Sequence, residues 1–177
     1  MTPEFAHAAL FLMAREGGYT VDQGGPTNYG VTQQVYDGLR IARHMVTRSV
    51  REIEMSEVLD VVSDYWRRAG CETFADVRPR LALLHLDFAY NSGPQRAILK
   101  LQAVVGVTSD GIVGPVSVEA ARTCDEEATC KQYLQARAHF LLALTTQPKH
   151  EASRKGWLAR LRWCARAVGL TPESPYA

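Results

Sequence analysis

The residues best placed to do chemistry are carboxylates. Phe5, Ala9, Leu12 and Glu16 are spaced so that a helix over 3–16 carries all four on one face. At about 100° per residue, Glu16 lies within roughly 20° of Phe5 around the axis. A carboxylate therefore closes an apolar stripe that packs inward. It does so in the last helical turn, where the negative end of the macrodipole opposes ionisation. Partial burial acts in the same direction. Both effects favour the protonated acid, the form needed to donate a proton near neutral pH. The alternative is a Glu that snorkels outward at a helix end.

The loop after Glu16 supplies partners. Asp22, Thr27, Asn28 and Tyr29 stand among Gly24, Gly25, Pro26 and Gly30. A carboxylate or hydroxyl facing a proton-donating Glu could position water for attack on a sugar carbon. Glycines let the backbone approach a ligand closely. The same residues also suit a tight turn with Asx-type bonds. A third cluster, Asp87, Tyr90 and Asn91, ends an apolar helix and either braces the core or floors a cleft. Tyr29, Tyr65 and Trp66 could stack on sugar faces, or belong to the core.

Other chemistries lack their motifs. There is no G-x-S-x-G, H-E-x-x-H, G-x-x-x-x-G-K or G-x-G-x-x-G, and the five histidines are scattered. Cys71, Cys124, Cys130 and Cys164 form no C-x-x-C pair and have no His at zinc-finger spacing. Three full disulfide pairings are open to them, and the expectation is free, mostly buried thiols. Neither a metal nor an organic cofactor is expected.

These residues need a scaffold. The 177-residue chain predicts one domain, or one with a small subdomain, at roughly 150 residues each. Its 20 basic and 19 acidic residues nearly cancel, which argues against a nucleic-acid binder and a polybasic membrane-surface protein. With 46% hydrophobic and 22% charged residues it reads as globular. No segment approaches the roughly 18 unbroken apolar residues of a membrane span.

The pattern is mostly helical. Helices are expected over 3–16, 32–43, 56–69 (capped by Ser56), 79–91, 95–105, 115–122, 125–146 and 151–168. Residues 19–31 read as a Gly-rich loop or short hairpin, and 44–53 would suit helix or strand. The stretch 79–91 is apolar nearly all round, as befits the middle of a core. The tail from Gly169, with two prolines, is expected to fray.

Taken in order, these residues resemble the glycoside hydrolase family 108 N-acetylmuramidases. The likeness rests on Glu16-Gly17-Gly18-Tyr19, Asp22 and Gly24 to Thr32. It continues through Tyr65-Trp66 and Asp87-Phe88-Ala89-Tyr90-Asn91-Ser92-Gly93. Leu101-Gln102, Gly106, Asp110-Gly111, Gly114-Pro115 and Gly156-Trp157-Leu158 complete it. The resemblance implies a mainly α, lysozyme-like helical fold with a Gly-rich active-site loop near the N-terminus. It implies cleavage of the β-1,4 bond between N-acetylmuramic acid and N-acetylglucosamine in peptidoglycan, with Glu16 as the general acid. Residues 1–94 would form a catalytic lobe. Residues 95–177 would form a helical lobe resembling a peptidoglycan-binding segment, packed with the first as one globular unit. The Asp110-Gly111 and Gly114-Pro115 pairs also read plainly as a turn and a helix start.

Two departures stand out. Only Gln23 separates Asp22 from Gly24 where the family loop is longer, so Asp22 is the one acidic residue of this loop. Tyr29 stands where the family usually has Trp. The shorter loop bears on where the partner of Glu16 sits, not on Glu16 itself.

The expected catalytic residues are therefore Glu16, Asp22 and Thr27, the last two orienting water or stabilising charge. The expected substrate-binding residues are Tyr19, Asn28, Tyr29, Trp66, Tyr90 and Asn91. The partner is the peptidoglycan glycan strand, acted on by a monomer. Glu4 and the Arg15-Glu16-Gly17-Gly18 stretch do not read as a secretory signal. Synthesis in the cytoplasm is expected, with release by a holin or a secretion system and action in the periplasm or cell wall. The rival readings are a lytic transglycosylase, which makes a 1,6-anhydro product, and a non-enzymatic wall-binding or secretion-assisting protein.

Overall fold

The computed structural model describes residues 1–22 and 24–176; the side chains of Asp22, Pro148 and Lys149 also lie outside the described set. The first helix, α1 (Pro3–Met13), starts at Thr2, whose Oγ1 accepts from the Phe5 amide at 3.3 Å. Its buried face is Phe5, Ala8, Ala9 and Leu12, which includes the three apolar residues of the expected stripe. The helix stops three residues short of the expected end. Beyond it the ladder tightens: Arg15 N donates to Leu12 O at 3.2 Å and Glu16 N to Met13 O at 3.3 Å. These three-residue steps turn the chain toward Gly17-Gly18 and leave Glu16 just outside the helix.

The Gly-rich segment forms a small antiparallel sheet in the order β1 (Thr20–Asp22), β2 (Gly25–Asn28), β3 (Val31–Thr32). In register, Asp22 faces Gly25, and Thr27 stands between Thr20 and Thr32. Tyr29 and Gly30 turn the chain between β2 and β3 with φ of 49° and 76°. Tyr90 donates its hydroxyl to the Tyr29 carbonyl at 2.8 Å and so ties this turn to the helical body.

Next come α2 (Gln33–Ala42) and α3 (Met55–Arg68). The ambiguous segment between them is neither long helix nor strand. It ends in a short 3-10 turn, Val50–Glu52, that buries Val50. Helix α3 is capped at Glu54, not at Ser56, because the Glu57 carboxylate reaches back to accept from the Glu54 amide at 3.0 Å.

The all-round apolar stretch is α4 (Pro79–Ser92), and it occupies the centre. Leu81, Leu84, Leu86 and Phe88 are essentially fully buried. Around it pack α1, α3, α5 (Pro94–Val104) and α7 (Glu126–Leu144). Two polar side chains of α4, His85 and Asp87, are enclosed with them. His85 Nε2 meets the Ala69 carbonyl at 3.0 Å, so it carries the proton, and Nδ1 faces the Tyr133 hydroxyl at 2.7 Å. Burial pushes the His85 imidazole down to about 4 and keeps it neutral.

Between α5 and α6 (Pro115–Thr123), Gln102 organises the loop. Its Nε2 donates to Asp110 Oδ1 at 2.7 Å and Ile112 O at 3.0 Å, while its Oε1 accepts from Gly111 N at 2.8 Å. The Asp110-Gly111 turn and the helix start after Gly114 thus have a structural role here. The expected helix over 151–168 is divided into α8 (Pro148–Glu151) and α9 (Arg154–Ala167). The tail does not fray: Leu170 and Tyr176 are buried. All four cysteines are free, and three are buried. This mainly helical, lysozyme-like architecture accords with the expectation.

Candidate active site

A cleft of about 390 Å³ opens where the sheet meets α3 and α4. Glu16, Thr27, Gly30, Thr32, Tyr65, Tyr90 and Asn91 line it. Glu16 comes from the turn after α1, Thr27 and Thr32 from adjacent strands, and Tyr65 from α3. The last turn of α4 supplies Tyr90 and Asn91. Among the described lining residues Glu16 is the one carboxylate.

The Glu16 side chain is 11% exposed. Its Oε1 accepts from Arg160 Nη2 at 2.7 Å. Oε2 lies beside Gly30: a Cβ there would come within 2.6 Å of Oε2 and 2.7 Å of Tyr90 Cε1. Only glycine lets the turn close over the carboxylate at this positive φ. One oxygen is held, and the other is left on the cleft side.

Arg160 is the residue that the sequence did not reveal. It lies on α9, 144 positions away from Glu16. Trp163, one turn further along the same helix, stacks on Phe11 of α1 with ring centroids 3.6 Å apart and planes 12° from parallel. Helix α9 packs chiefly against α7, and this stack ties it to α1 where Arg160 meets Glu16. The same guanidinium donates to Asp87 through Nε at 3.0 Å and Nη2 at 2.6 Å. Arg137 Nη1 reaches the other Asp87 oxygen at 2.5 Å. Burial pushes the Asp87 carboxyl up, but the Arg137 and Arg160 guanidiniums outweigh it and hold the group at about 2. Asp87 is thus a buried anchor for Arg160, and Arg160 orients Glu16. The expectation for Glu16 considered only the helix end and burial; it did not include this counter-charge.

The other expected residues divide. Thr27, Tyr90 and Asn91 meet at the cleft with Glu16. Burial first, and then the Glu16 charge, push the Tyr90 phenol up, so it stays an O–H donor. Asn91 donates to its own helix at the Asp87 carbonyl, 2.8 Å away. Tyr29 takes part through its backbone: its amide donates to Gly17 O at 3.0 Å and its carbonyl accepts from Tyr90. Tyr19 is exposed, with the Arg51 guanidinium 5.2 Å from its ring centroid, away from the lining of the cleft.

Asn28 and Trp66 stand elsewhere. The Asn28 amide is buried and donates to the Val50 and Arg51 carbonyls at 3.2 Å each, which pins β2 to the 3-10 turn. Trp66 is buried edge-on against Phe5, at 5.4 Å, on a different face of α3 from Tyr65. Neighbouring residues on a helix point about 100° apart, so Tyr65 reaches the cleft and Trp66 cannot. For Asp22, the backbone lies at the end of β1, and its side chain is outside the described residues. Among the described residues no group of His, Cys, Asp and Glu is arranged to hold a metal ion.

An acidic group beside a tyrosine-walled cleft, on a lysozyme-like helical scaffold, suits a glycoside hydrolase. Known proteins agree. Residues 9–93 match the glycosyl hydrolase 108 model, and residues 94–162 match the predicted peptidoglycan domain model. Together the two matches support a peptidoglycan hydrolase whose residues 9–93 are similar to the glycosyl hydrolase 108 family. The solved structure of Brucella abortus SagA is similar, with 29% sequence identity and a TM-score of 0.75 over 96% of this chain and 97% of that one. No curated protein matches the chain.

Proposed function

We propose that the chain is an N-acetylmuramidase that hydrolyses the β-1,4 bond from N-acetylmuramic acid to N-acetylglucosamine, with Glu16 as its general acid. The observation that carries this reading is the Glu16 carboxylate, fixed by Arg160 through one oxygen and open to the cleft at the other. A glycan strand lies across Tyr65 and Tyr90, whose rings are 5.2 Å apart. Glu16 passes a proton to the glycosidic oxygen while C1 of the muramic sugar becomes oxocarbenium-like. The bond from C1 to that oxygen breaks, and the glucosamine leaves with a free 4-hydroxyl. Thr27 or Asp22 orients the water whose oxygen bonds to C1. A proton from that water replaces the one Glu16 gave.

The family and the peptidoglycan domain support the substrate class, and the cleft supports the chemistry. Peptidoglycan lies outside the cytoplasmic membrane, and no described helix is long and apolar enough to cross one. In this reading the protein acts at the wall, delivered there by a holin or a secretion system.

The test is mass spectrometry of soluble products from purified peptidoglycan. Reducing N-acetylmuramic acid ends are expected. Reducing N-acetylglucosamine ends would overturn the bond assignment, and 1,6-anhydro ends would make the protein a lytic transglycosylase. Binding without any product from folded protein would leave a wall-binding role.

A further inference from the structure

A second cavity, of about 440 Å³, adjoins the Glu16 cleft and shares Asn91 with it. Its walls include Arg96 on α5, Arg137 and Phe140 on α7, His150 on α8, and Trp157 and Arg160 on α9. None of its described lining residues is acidic. Its size is within the range of sites for small ligands.

The charges around it do not cancel. Arg137 and Arg160 face Asp87 and Glu16, two cations against two anions. Arg96 is left over. Its Nη1 donates to the Ser92 carbonyl at 2.9 Å, its guanidinium sits 5.0 Å from the Phe140 ring centroid, and no carboxylate among the described residues pairs with it. Arg137 is 2% exposed, yet its Nε has no hydrogen-bond partner among the described residues. His150 and Trp157 also line it, with ring centroids 5.5 Å apart. A cavity with an unmatched guanidinium and aromatic walls suits a flexible, anionic chain with short apolar side groups.

The glycan strand carries such a chain. The stem peptide leaves the muramic sugar at its lactyl group, within one sugar's width of the scissile bond, and bears free carboxylates. We propose that the second cavity binds the carboxylate-bearing stem peptide, with Arg96 as its main anion contact; this rests on the muramidase reading of the Glu16 cleft. Arg160 then borders both sites, holding Glu16 on one side and closing the peptide cavity on the other.

The experiment compares two substrates of the full chain: intact peptidoglycan, and the same glycan stripped of its peptides by an amidase. New reducing ends are counted with wild type and with Arg96→Glu and Trp157→Ala. Loss of a charge-assisted contact lowers kcat/KM on intact peptidoglycan about tenfold or more in Arg96→Glu, and leaves cleavage of stripped strands at the wild-type rate. An equal fall on both substrates, or no fall on either, overturns the proposal.

Titration of the tripeptide L-alanyl-γ-D-glutamyl-meso-diaminopimelate by NMR gives a readout independent of cleavage. A shift of the Trp157 indole N–H that Arg96→Glu abolishes is expected. An unmoved indole overturns the subsite. If wild type binds the tripeptide but cleaves neither glycan, the muramidase reading has failed and the peptide subsite stands.

Discussion

Two arginine–carboxylate networks in this molecule look alike in composition and differ in closure. At Glu57, both carboxylate oxygens are used up. Oε1 accepts from Arg40 at 2.6 Å, and Oε2 accepts from Tyr36 at 2.7 Å, Arg48 at 2.8 Å and the Glu54 amide at 3.0 Å. Burial pushes this carboxyl up, but the Glu54 amide, Tyr36 and Arg48 hold it at about 2. No cavity opens onto it among those described. At Glu16, one oxygen is held by Arg160 and the other stands beside a glycine at the edge of a cleft. A saturated carboxylate braces α2 against α3. A half-saturated one, fixed in place, retains an oxygen for a substrate. Residue type does not separate them; the count of donors and the open side do.

The contrast can be broken at several points. The largest effect on folding is expected at Asp87, the buried anchor of the Glu16 network. Asp87→Ala leaves two guanidiniums without their shared anion and costs about 3–5 kcal/mol, read by chemical denaturation. At the closed network, Glu57→Gln costs about 2–3 kcal/mol through lost charged hydrogen bonds, while activity per folded molecule stays at the wild-type level in a lysis assay.

The pH dependence tests the core beneath both. His85 is held at about 4, below its ordinary 6.5, so the unfolded chain binds the extra proton first. Its contribution is complete above about pH 6.5 and is lost as pH falls toward 4, a decline of about 3 kcal/mol. Denaturant midpoints measured from pH 7 to pH 4 should show it, and His85→Gln should flatten that slope. Gly30→Ala is smaller in stability, about 1–2 kcal/mol for an alanine at positive φ. It still depresses activity, because its Cβ would displace Oε2 or Tyr90. At the low end, Asp64→Ala breaks only the exposed pairs with Arg67 and Arg68 and should leave both melting temperature and activity unchanged.

Much of this was legible in the sequence because it is local. The apolar stripe of α1 and the all-round burial of α4 follow from hydrophobic period, while the meeting of Glu16 with Thr27, Tyr90 and Asn91 was implied by the family resemblance. What was not legible depends on distance or on a single turn of a helix. Arg160 has no local signal: its role appears only when α9, packed on α7 and tied to α1 by the Phe11–Trp163 stack, brings it to Glu16. Tyr65 and Trp66 differ by one position, and only the fold tells which of them faces the cleft. Asn28 sits inside the motif but spends its amide on the Val50 and Arg51 carbonyls. The early end of α1 came from tightened turns that hydrophobic spacing does not encode.

The most direct measurement is the rate of muropeptide release from purified peptidoglycan by Glu16→Gln beside wild type, with the melting temperature of each taken in the same buffer. Loss of a positioned general acid predicts a fall of roughly 10²–10⁴-fold with the melting temperature little changed. A Glu16→Gln protein that stays folded and releases muropeptides at the wild-type rate would contradict the assignment of the open carboxylate as the acid.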